Sequence, residues 1–270
     1  MNKIILISEI GWNHMGNLNL AEKMIKASKL SGADFAKFQT WQVKNLKDGP
    51  WNQDGRREIY KKAELTKDDY LKILKMCKKY KIKFLTSIFN LKDYYLLKKL
   101  NLKTIKIPSP ENRNKELLKF CNKKFNNIFL STGAAKISEI KKSFKIFSKN
   151  KYVNLMHCVS AYPCPDKIIN LDRINKLKKI SKNIGLSDHT PDILSAILSL
   201  DYGISVIEKH FTVDNNLPGR DNKFAILPNM MNELSKTIKR YDLMKKEQKE
   251  TFSKQEMEIR KVYTGRWSNS

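Results

Sequence analysis

The chain has 270 residues, and its 53 Lys and Arg against 27 Asp and Glu give a formal charge of +26. With 41% hydrophobic residues it can build a large core, which excludes wholesale disorder. No apolar run approaches the ~20 residues of a membrane helix, and the N-terminal apolar stretch is too short for a signal peptide. We therefore expect a cytoplasmic protein without a membrane partner.

The positive charge is mostly lysine. Of the basic residues 45 are Lys and only 8 are Arg, and they are spread over the whole chain. Arginine is better suited than lysine to reading bases or gripping phosphate, and the sequence carries no recognisable nucleic-acid-binding module. We interpret the charge as a solvated surface and expect no nucleic-acid partner, with nucleic-acid binding as the alternative.

Short apolar runs alternate along the chain with segments of helical periodicity. The pattern predicts strands at residues 4–8, 35–38, 83–86, 104–107, 128–130, 152–157, 184–186 and 205–209. It predicts helices at residues 20–30, 70–80, 94–100, 116–121, 137–147, 171–179, 193–200 and 229–245. Eight strands alternating with eight helices are typical of an α/β protein with a (β/α)8 TIM barrel. A doubly wound sheet is the alternative, but no GxGxxG phosphate loop follows any strand.

Two segments lie outside this alternation. Residues 41–65 form a long polar loop after the second strand, and loops of that length are often functional. Residues 251–270 are polar and weakly patterned, and they are interpreted as a tail, a docking arm or the start of another domain.

All four histidines fall at predicted strand ends. They are His14, His157, His189 and His210, after strands 1, 6, 7 and 8. In such barrels the working residues lie at the carboxyl ends of the strands. Since strands 7 and 8 are neighbours, His189 and His210 are predicted to bind a divalent first-row metal and to leave positions open for substrate.

Two lysines stand inside apolar strands. Lys37 and Lys106 would be costly to bury unless an anion meets them. With the hydroxyls of Ser109, Ser131 and Ser187 they outline a pocket for a phosphorylated or carboxylated small molecule. The alternative is that one of these lysines faces outward.

Eight segments carry a specific set of motifs. They are 8–16 (SEIGWNHMG), 37–39 (KFQ), 106–109 (KIPS), 131–133 (STG), 157–163 (HCVSAYP), 187–190 (SDHT), 208–212 (EKHFT) and 218–221 (PGRD). In this order they resemble the motifs of the sialic acid synthases, the NeuB family. The resemblance implies a TIM barrel that condenses phosphoenolpyruvate with an N-acylmannosamine-type sugar, yielding a nonulosonic 2-keto acid and phosphate. It further implies a homodimer and a divalent cofactor, Mn²⁺ first, with Mg²⁺ or Co²⁺ as alternatives.

The resemblance also assigns roles to individual positions. The residues that it implies to be catalytic are Glu9, Glu111 and Glu208. Those that it implies to bind substrate are Lys37, Gln39, Thr86, Lys106, Ser109, Ser131, His157, Tyr162, Ser187 and Asp221. The metal ligands that it implies are His189 and His210, in agreement with the strand-end argument.

The sequence departs from the family pattern in places. The usual Thr-Pro-Phe after strand 3 reads Thr86-Ser87-Ile88-Phe89. Family members usually continue into a small antifreeze-like domain, whereas here we expect a barrel over residues 1–250 and only a tail over 251–270. The alternatives are therefore a barrel subunit that is inactive without a separate antifreeze-like partner, or an enzyme for a different aldose.

Overall fold

Eight parallel strands close into one barrel in chain order, which confirms the predicted (β/α)8 architecture. The computed structural model describes residues 3–245 and 252–267. The strands are β1 Ile5–Gly11, β2 Phe35–Thr40, β3 Lys83–Ile88, β4 Thr104–Ile107, β5 Asn127–Ser131, β6 Tyr152–Cys158, β7 Ile184–Asp188 and β8 Val206–His210. Each predicted strand overlaps an observed one.

Helices surround the barrel. They are α1 Leu18–Leu30, α2 Arg56–Ala63, α3 Lys67–Lys79, α4 Tyr94–Leu97, α5 Lys115–Lys124, α6 Ile137–Phe144, α7 Asp166–Ile169, α8 Arg173–Lys178, α9 Leu194–Ser199, α10 Pro228–Met244 and α11 Lys254–Tyr263. Polar side chains cap the N-termini of several helices. Thr66 and Asp69 form a capping box on α3, and the side chain of Asn17 caps α1. Within the described ranges, no helix is both long and apolar enough to cross a membrane.

Side chains alternate between two layers because successive residues of a strand point to opposite faces. The outward layer packs against the helices as the main hydrophobic core. The inward layer begins with a small apolar cluster made of Ile7, Phe35, Leu85, Phe129, Met156 and Val206. Two residues further along the strands, the inward positions are polar: Glu9, Lys37, Ser87, Ser131, Cys158 and Glu208. The apolar cluster therefore closes the barrel beneath a polar mouth.

Three helices, α2, α7 and α11, were not expected from the sequence. The loop predicted at residues 41–65 contains α2, whose start at Gly55 has no side-chain cap to reveal it. The stretch predicted as a weakly patterned tail contains α11, which begins at a capping box formed by Ser253 and Glu256. The expected boundary between barrel and tail, at residues 250–251, lies outside the described residues, as do 268–270.

Two glycines with nearly the same backbone angle test how closely the β1–α1 loop packs. Gly16 has φ +78° and Gly55 has φ +79°, a region that L side chains rarely adopt. A Cβ on Gly16 would overlap the carbonyl oxygen of Lys62 at the end of α2, whereas a Cβ on Gly55 would meet nothing within 4 Å.

We predict that Gly16→Ala lowers the free energy of unfolding by about 2–4 kcal/mol, because backbone strain and steric overlap add. Gly55→Ala is the matched control and should cost only about 1 kcal/mol, since it carries the strain alone. Urea denaturation of both variants measures the difference. Equal losses would show that the β1–α1 loop does not pack against α2 as described.

Candidate active site

Four buried charged side chains meet at the centre of the barrel mouth. The ammonium group of Lys106 lies 2.7 Å from Glu208 Oε1, and that of Lys37 lies 3.5 Å from the same oxygen. Lys37 Nζ also lies 2.6 Å from Glu9 Oε2, and the amide of Gln39 donates to Glu9 Oε1 at 2.6 Å. All four charged residues are at most 5% exposed. Lys37 and Lys106 both face the inside of the barrel, which excludes the alternative that one of them faces outward.

The two carboxyl groups have opposite proton affinities although they share Lys37. Burial raises the pKa of Glu9 to about 7, against the lowering effect of Lys37. Burial acts on Glu208 as well, but the ammonium groups of Lys106 and Lys37 outweigh it and lower its pKa to about 2. Near neutral pH, Glu208 is therefore a fixed negative charge, and Glu9 can gain or lose a proton. Paired carboxyl groups separated in this way are typical of acid–base sites.

Hydroxyl groups extend the site beyond the four charges. Ser187 donates to Glu208 Oε1 at 3.0 Å. Ser109 lies at the start of the turn after β4, where its Oγ accepts the backbone N–H of Gly133 at 3.1 Å and contacts the thiol of Cys158 at 3.3 Å. These groups line one edge of the mouth with donors suited to an anion.

His189 and His210 lie side by side, with ring centroids 5.3 Å apart. His189 Nδ1 is 2.7 Å from the carbonyl oxygen of Val159, so Nδ1 donates and Nε2 keeps a free lone pair. The Nδ1 of His210 is buried and finds no hydrogen-bond partner among the described residues, since Asp221 Oδ2 at 3.4 Å lacks hydrogen-bond geometry.

Both imidazoles are neutral at physiological pH. Burial lowers the pKa of His189 to about 4, and burial together with the neighbouring His189 lowers the pKa of His210 well below its ordinary value. Neutral imidazoles with unused lone pairs fit a divalent metal ion. In the described ranges no group of three or more His, Cys, Asp or Glu is arranged for a metal, so side chains of these four types offer at most two ligands there. This fits an ion that also binds substrate rather than a closed structural site.

A polar and aromatic wall borders the histidine pair. The ring of Tyr162 packs against that of His189, with centroids 4.2 Å apart and the ring planes tilted by 38°. Asp221, whose pKa burial raises to about 6, accepts the indole N–H of Trp12 at 2.5 Å. Trp12 in turn packs against Tyr60 of α2, with centroids 5.2 Å apart. Asp221 and Tyr162, both predicted to bind substrate, are thus on the same side of the mouth as the candidate metal ligands.

The contacts of Trp12 with the aromatic residues of the neighbouring loops were not identified from the sequence. Trp41 contacts both Trp12 and Tyr60, and it also packs edge-on against Phe89. These residues come from the loops after β1, β2 and β3, so only the closed barrel brings them together. The only sequence signal was the unusual length of the loop after β2.

Thr86 does not join the site. Its side chain lies on the outward face of β3, where its hydroxyl pairs with Thr40 at 2.8 Å. The next residue, Ser87, continues the inward series of Leu85 and stands opposite Lys106 in the β3–β4 pairing. The structure therefore does not bring Thr86, predicted as a substrate contact, into the pocket. The inward residue at this point of β3 is Ser87, which alternation from Leu85 could have indicated.

His157 is also directed away from the pocket. Its Nε2 lies 2.7 Å from the carbonyl oxygen of Ile169 at the end of α7, and its Nδ1 lies 3.4 Å from Arg173 of α8. The inward residue at this point of β6 is Cys158. His157 thus ties β6 to its helices, and its predicted contact with substrate is corrected.

Glu111 lies at the edge of the site. It belongs to a short 3-10 turn after β4 and is partly exposed. Its Oε2 accepts the side-chain amide of Asn114 at 2.8 Å, and no hydrogen bond of the described chain joins it to the four central charges. A catalytic role for Glu111 stays a prediction.

Comparison with known proteins places the chain among its relatives. A family model described as the NeuB family matches residues 24–250. The chain belongs to the NeuB family. It is 37% identical over 255 residues to N,N'-diacetyllegionaminic acid synthase of Campylobacter jejuni, which covers 88% of this chain and 76% of that protein. It is 32% identical to pseudaminic acid synthase of the same species, over 83% of this chain and 69% of that one.

A solved structure extends the likeness from sequence to fold. The crystal structure of N-acetylneuraminic acid (sialic acid) synthetase from Leptospira borgpetersenii serovar Hardjo-bovis, in complex with citrate, superposes on this NeuB-family chain with a TM-score of 0.86. The two are 30% identical, and the match covers 97% of this chain and 93% of the other.

We predict that one glutamate of the free protein titrates with a pKa near 7 and that Glu9→Gln removes this titration. Carbon-13 NMR of protein labelled at the glutamate carboxyl carbons follows it directly. Glu208→Gln cannot serve as the control because it leaves two buried ammonium groups short of a partner, so the exposed Glu116→Gln is used. A side chain at position 9 that titrates below pH 5 would contradict the separation of the two carboxyl groups.

The raised pKa of Glu9 should also make the free energy of unfolding depend on pH. Because the pKa of Glu9 is raised on folding, its contribution is fully present below about pH 4.5 and is lost as pH rises through 7. Relative to Glu9→Gln, the unmodified protein should therefore lose stability between pH 4.5 and 7. Comparing the two proteins cancels the opposite effect of the buried histidines, which they share.

Proposed function

We propose that this NeuB-family chain condenses phosphoenolpyruvate with the aldehyde form of an N-acylmannosamine-type sugar. Water is consumed, and the products are a nonulosonic 2-keto acid and inorganic phosphate. The observation that carries the proposal is the convergence of Lys37 and Lys106 on buried carboxylates at the carboxyl end of the barrel. The names of its relatives, which include N,N'-diacetyllegionaminic and pseudaminic acid synthases, support the same class of reaction.

Binding of phosphoenolpyruvate follows from the lysine pair. Phosphoenolpyruvate carries a phosphate and a carboxylate, and two buried ammonium groups with hydroxyl donors from Ser109, Ser131 and Ser187 match that charge. Before substrate arrives, the ion pairs with Glu208 and Glu9 keep both lysines directed into the mouth. An incoming anion therefore meets donors that are already oriented, which lowers the cost of binding.

The carboxyl groups then serve the chemical steps. Carbon 3 of the enol bonds to the aldehyde carbon, and positive charge develops at carbon 2. Glu208 remains ionised and can stabilise that charge. Water adds at carbon 2, and Glu9, with its pKa near 7, can accept the proton that the water loses. Cleavage of the carbon–oxygen bond to phosphate, with loss of the hydroxyl proton at carbon 2, then leaves the 2-keto acid. The two protons of the water end on the former aldehyde oxygen and on phosphate.

The sugar is oriented on the other side of the mouth. His189 and His210 would hold a divalent ion, with Mn²⁺ preferred over Mg²⁺ or Co²⁺, and this ion would supply Lewis-acid polarisation of the sugar aldehyde. Asp221 and Tyr162, adjacent to this pair, can hydrogen-bond sugar hydroxyls. The hydrogen bond from Trp12 and the packing of Tyr60 hold Asp221 in place.

The proposal predicts that phosphate release from phosphoenolpyruvate requires an acceptor sugar and Lys106. Lys106→Met should reduce kcat/KM by about 10²–10³-fold, because it removes a buried cation that meets the anionic substrate. Lys83→Met is the matched control: Lys83 starts β3 at the opposite end of the barrel, where it is exposed, and its loss should leave kcat/KM unchanged. A colorimetric phosphate assay with Mn²⁺ and a panel of N-acylated aldoses measures both.

Two results would contradict this assignment. One is sugar-independent phosphate release, which would indicate a phosphatase. The other is equal loss in Lys106→Met and Lys83→Met, which would show that Lys106 has no special position. Thermal unfolding of each variant verifies that the barrel is intact.

A further inference from the structure

A second buried cluster lies directly behind the histidine pair, on the outward face of the barrel wall. Lys209 Nζ donates to Asp188 Oδ2 at 2.9 Å, to the backbone oxygen of Thr190 at 2.6 Å and to the Thr190 hydroxyl at 3.1 Å. Asp188 Oδ2 also accepts the hydroxyl of Ser195 of α9 at 2.5 Å. Lys209 and Asp188 are each 1% exposed. The active-site chemistry described above uses none of these groups.

The cluster connects the two segments that carry the histidines. Asp188 and Thr190 flank His189 in the chain, and Lys209 immediately precedes His210. Asp188 and Lys209 are also paired in the β7–β8 register. One ammonium group therefore holds both neighbours of one histidine against the strand that carries the other.

Stability does not by itself explain this arrangement. The desolvation cost of a buried ion pair is often as large as its attraction, and well-packed apolar replacements are frequently neutral or stabilising. The pair instead fixes orientation, because the carboxylate and the ammonium group each have several defined hydrogen-bond partners. An apolar pair would fill the space without fixing how the end of β7 lies relative to β8.

We propose that Asp188 and Lys209 are positioning residues that hold His189 and His210 at the separation needed to bind a divalent cation. The inference rests on the proposed function insofar as the cation is Mn²⁺ or a similar ion. The Asp188–Lys209 pair acts through the backbone and through the register of β7 and β8, and neither side chain touches the cation or the substrate.

The test measures Mn²⁺ affinity of the full chain by electron paramagnetic resonance of the free ion, and thermal unfolding in parallel. Lys209→Met and Asp188→Asn each leave a buried charge unpaired, so both should lower Tm and weaken Mn²⁺ binding. The double variant Asp188→Asn/Lys209→Met leaves neither charge unpaired and should recover most of the Tm. Its Mn²⁺ affinity should nevertheless stay about 10–100-fold below that of the unmodified chain, the range typical of lost support around metal ligands.

Two variants complete the design. His189→Ala should abolish the binding, which assigns the measured ion to the histidine pair. Ser28→Ala removes the buried hydrogen bond between Ser28 and Ser8, 2.7 Å long, in the same outward layer next to Lys209. It should lower Tm without changing Mn²⁺ affinity.

The outcomes separate the two claims. Equal Mn²⁺ affinity of the double variant and the unmodified chain would overturn the positioning role and leave the proposed function intact. Loss of affinity in Ser28→Ala comparable to that in the double variant would overturn it too, since any destabilisation would then suffice. No Mn²⁺ binding by the unmodified chain would overturn both this role and the metal part of the proposed function.

Discussion

The structure depends on one electrostatic constraint, the burial of two ammonium groups and two carboxyl groups at the mouth of a closed barrel. A single buried charge in that position would be strongly unfavourable, and only mutual pairing makes the four tolerable. Lys37 is the shared member, 2.6 Å from Glu9 and 3.5 Å from Glu208. The unequal division of lysine contacts leaves Glu208 ionised and Glu9 with a pKa near 7, and the separate roles that we propose for them rest on this difference.

The barrel supplies the geometry that this network requires. Inward residues of the eight strands form an apolar layer below and a polar layer above, so the charges sit on a closed floor rather than in an open channel. The same strands use their outward residues for support: the Asp188–Lys209 pair behind the histidines, and His157 between β6 and its helices. Residues that line the site therefore alternate along each strand with residues that make the contacts behind it.

The alternation also explains how far the sequence could predict the protein. Buried parallel strands are continuous apolar runs, so all eight could be located, and Lys37 and Lys106 stood out because they interrupt such runs. The face on which a residue lies is harder to predict, since a shift of one position reverses it. The resemblance assigned Thr86 and His157 to the pocket, whereas Ser87 and Cys158, one position further along each strand, face it. The contacts of Trp12 with Trp41 and Tyr60 arise from tertiary packing, and the sequence indicated them only through the unusual length of the loop after β2.

The proposed function requires that this site join the three carbons of phosphoenolpyruvate to a sugar. The most direct measurement is mass spectrometry of the products formed from uniformly carbon-13-labelled phosphoenolpyruvate, an N-acylated aldose and Mn²⁺. We expect one new acid that contains the intact sugar and all three labelled carbons. Labelled pyruvate beside unchanged sugar would contradict it, because phosphate would then have been released without a carbon–carbon bond being formed.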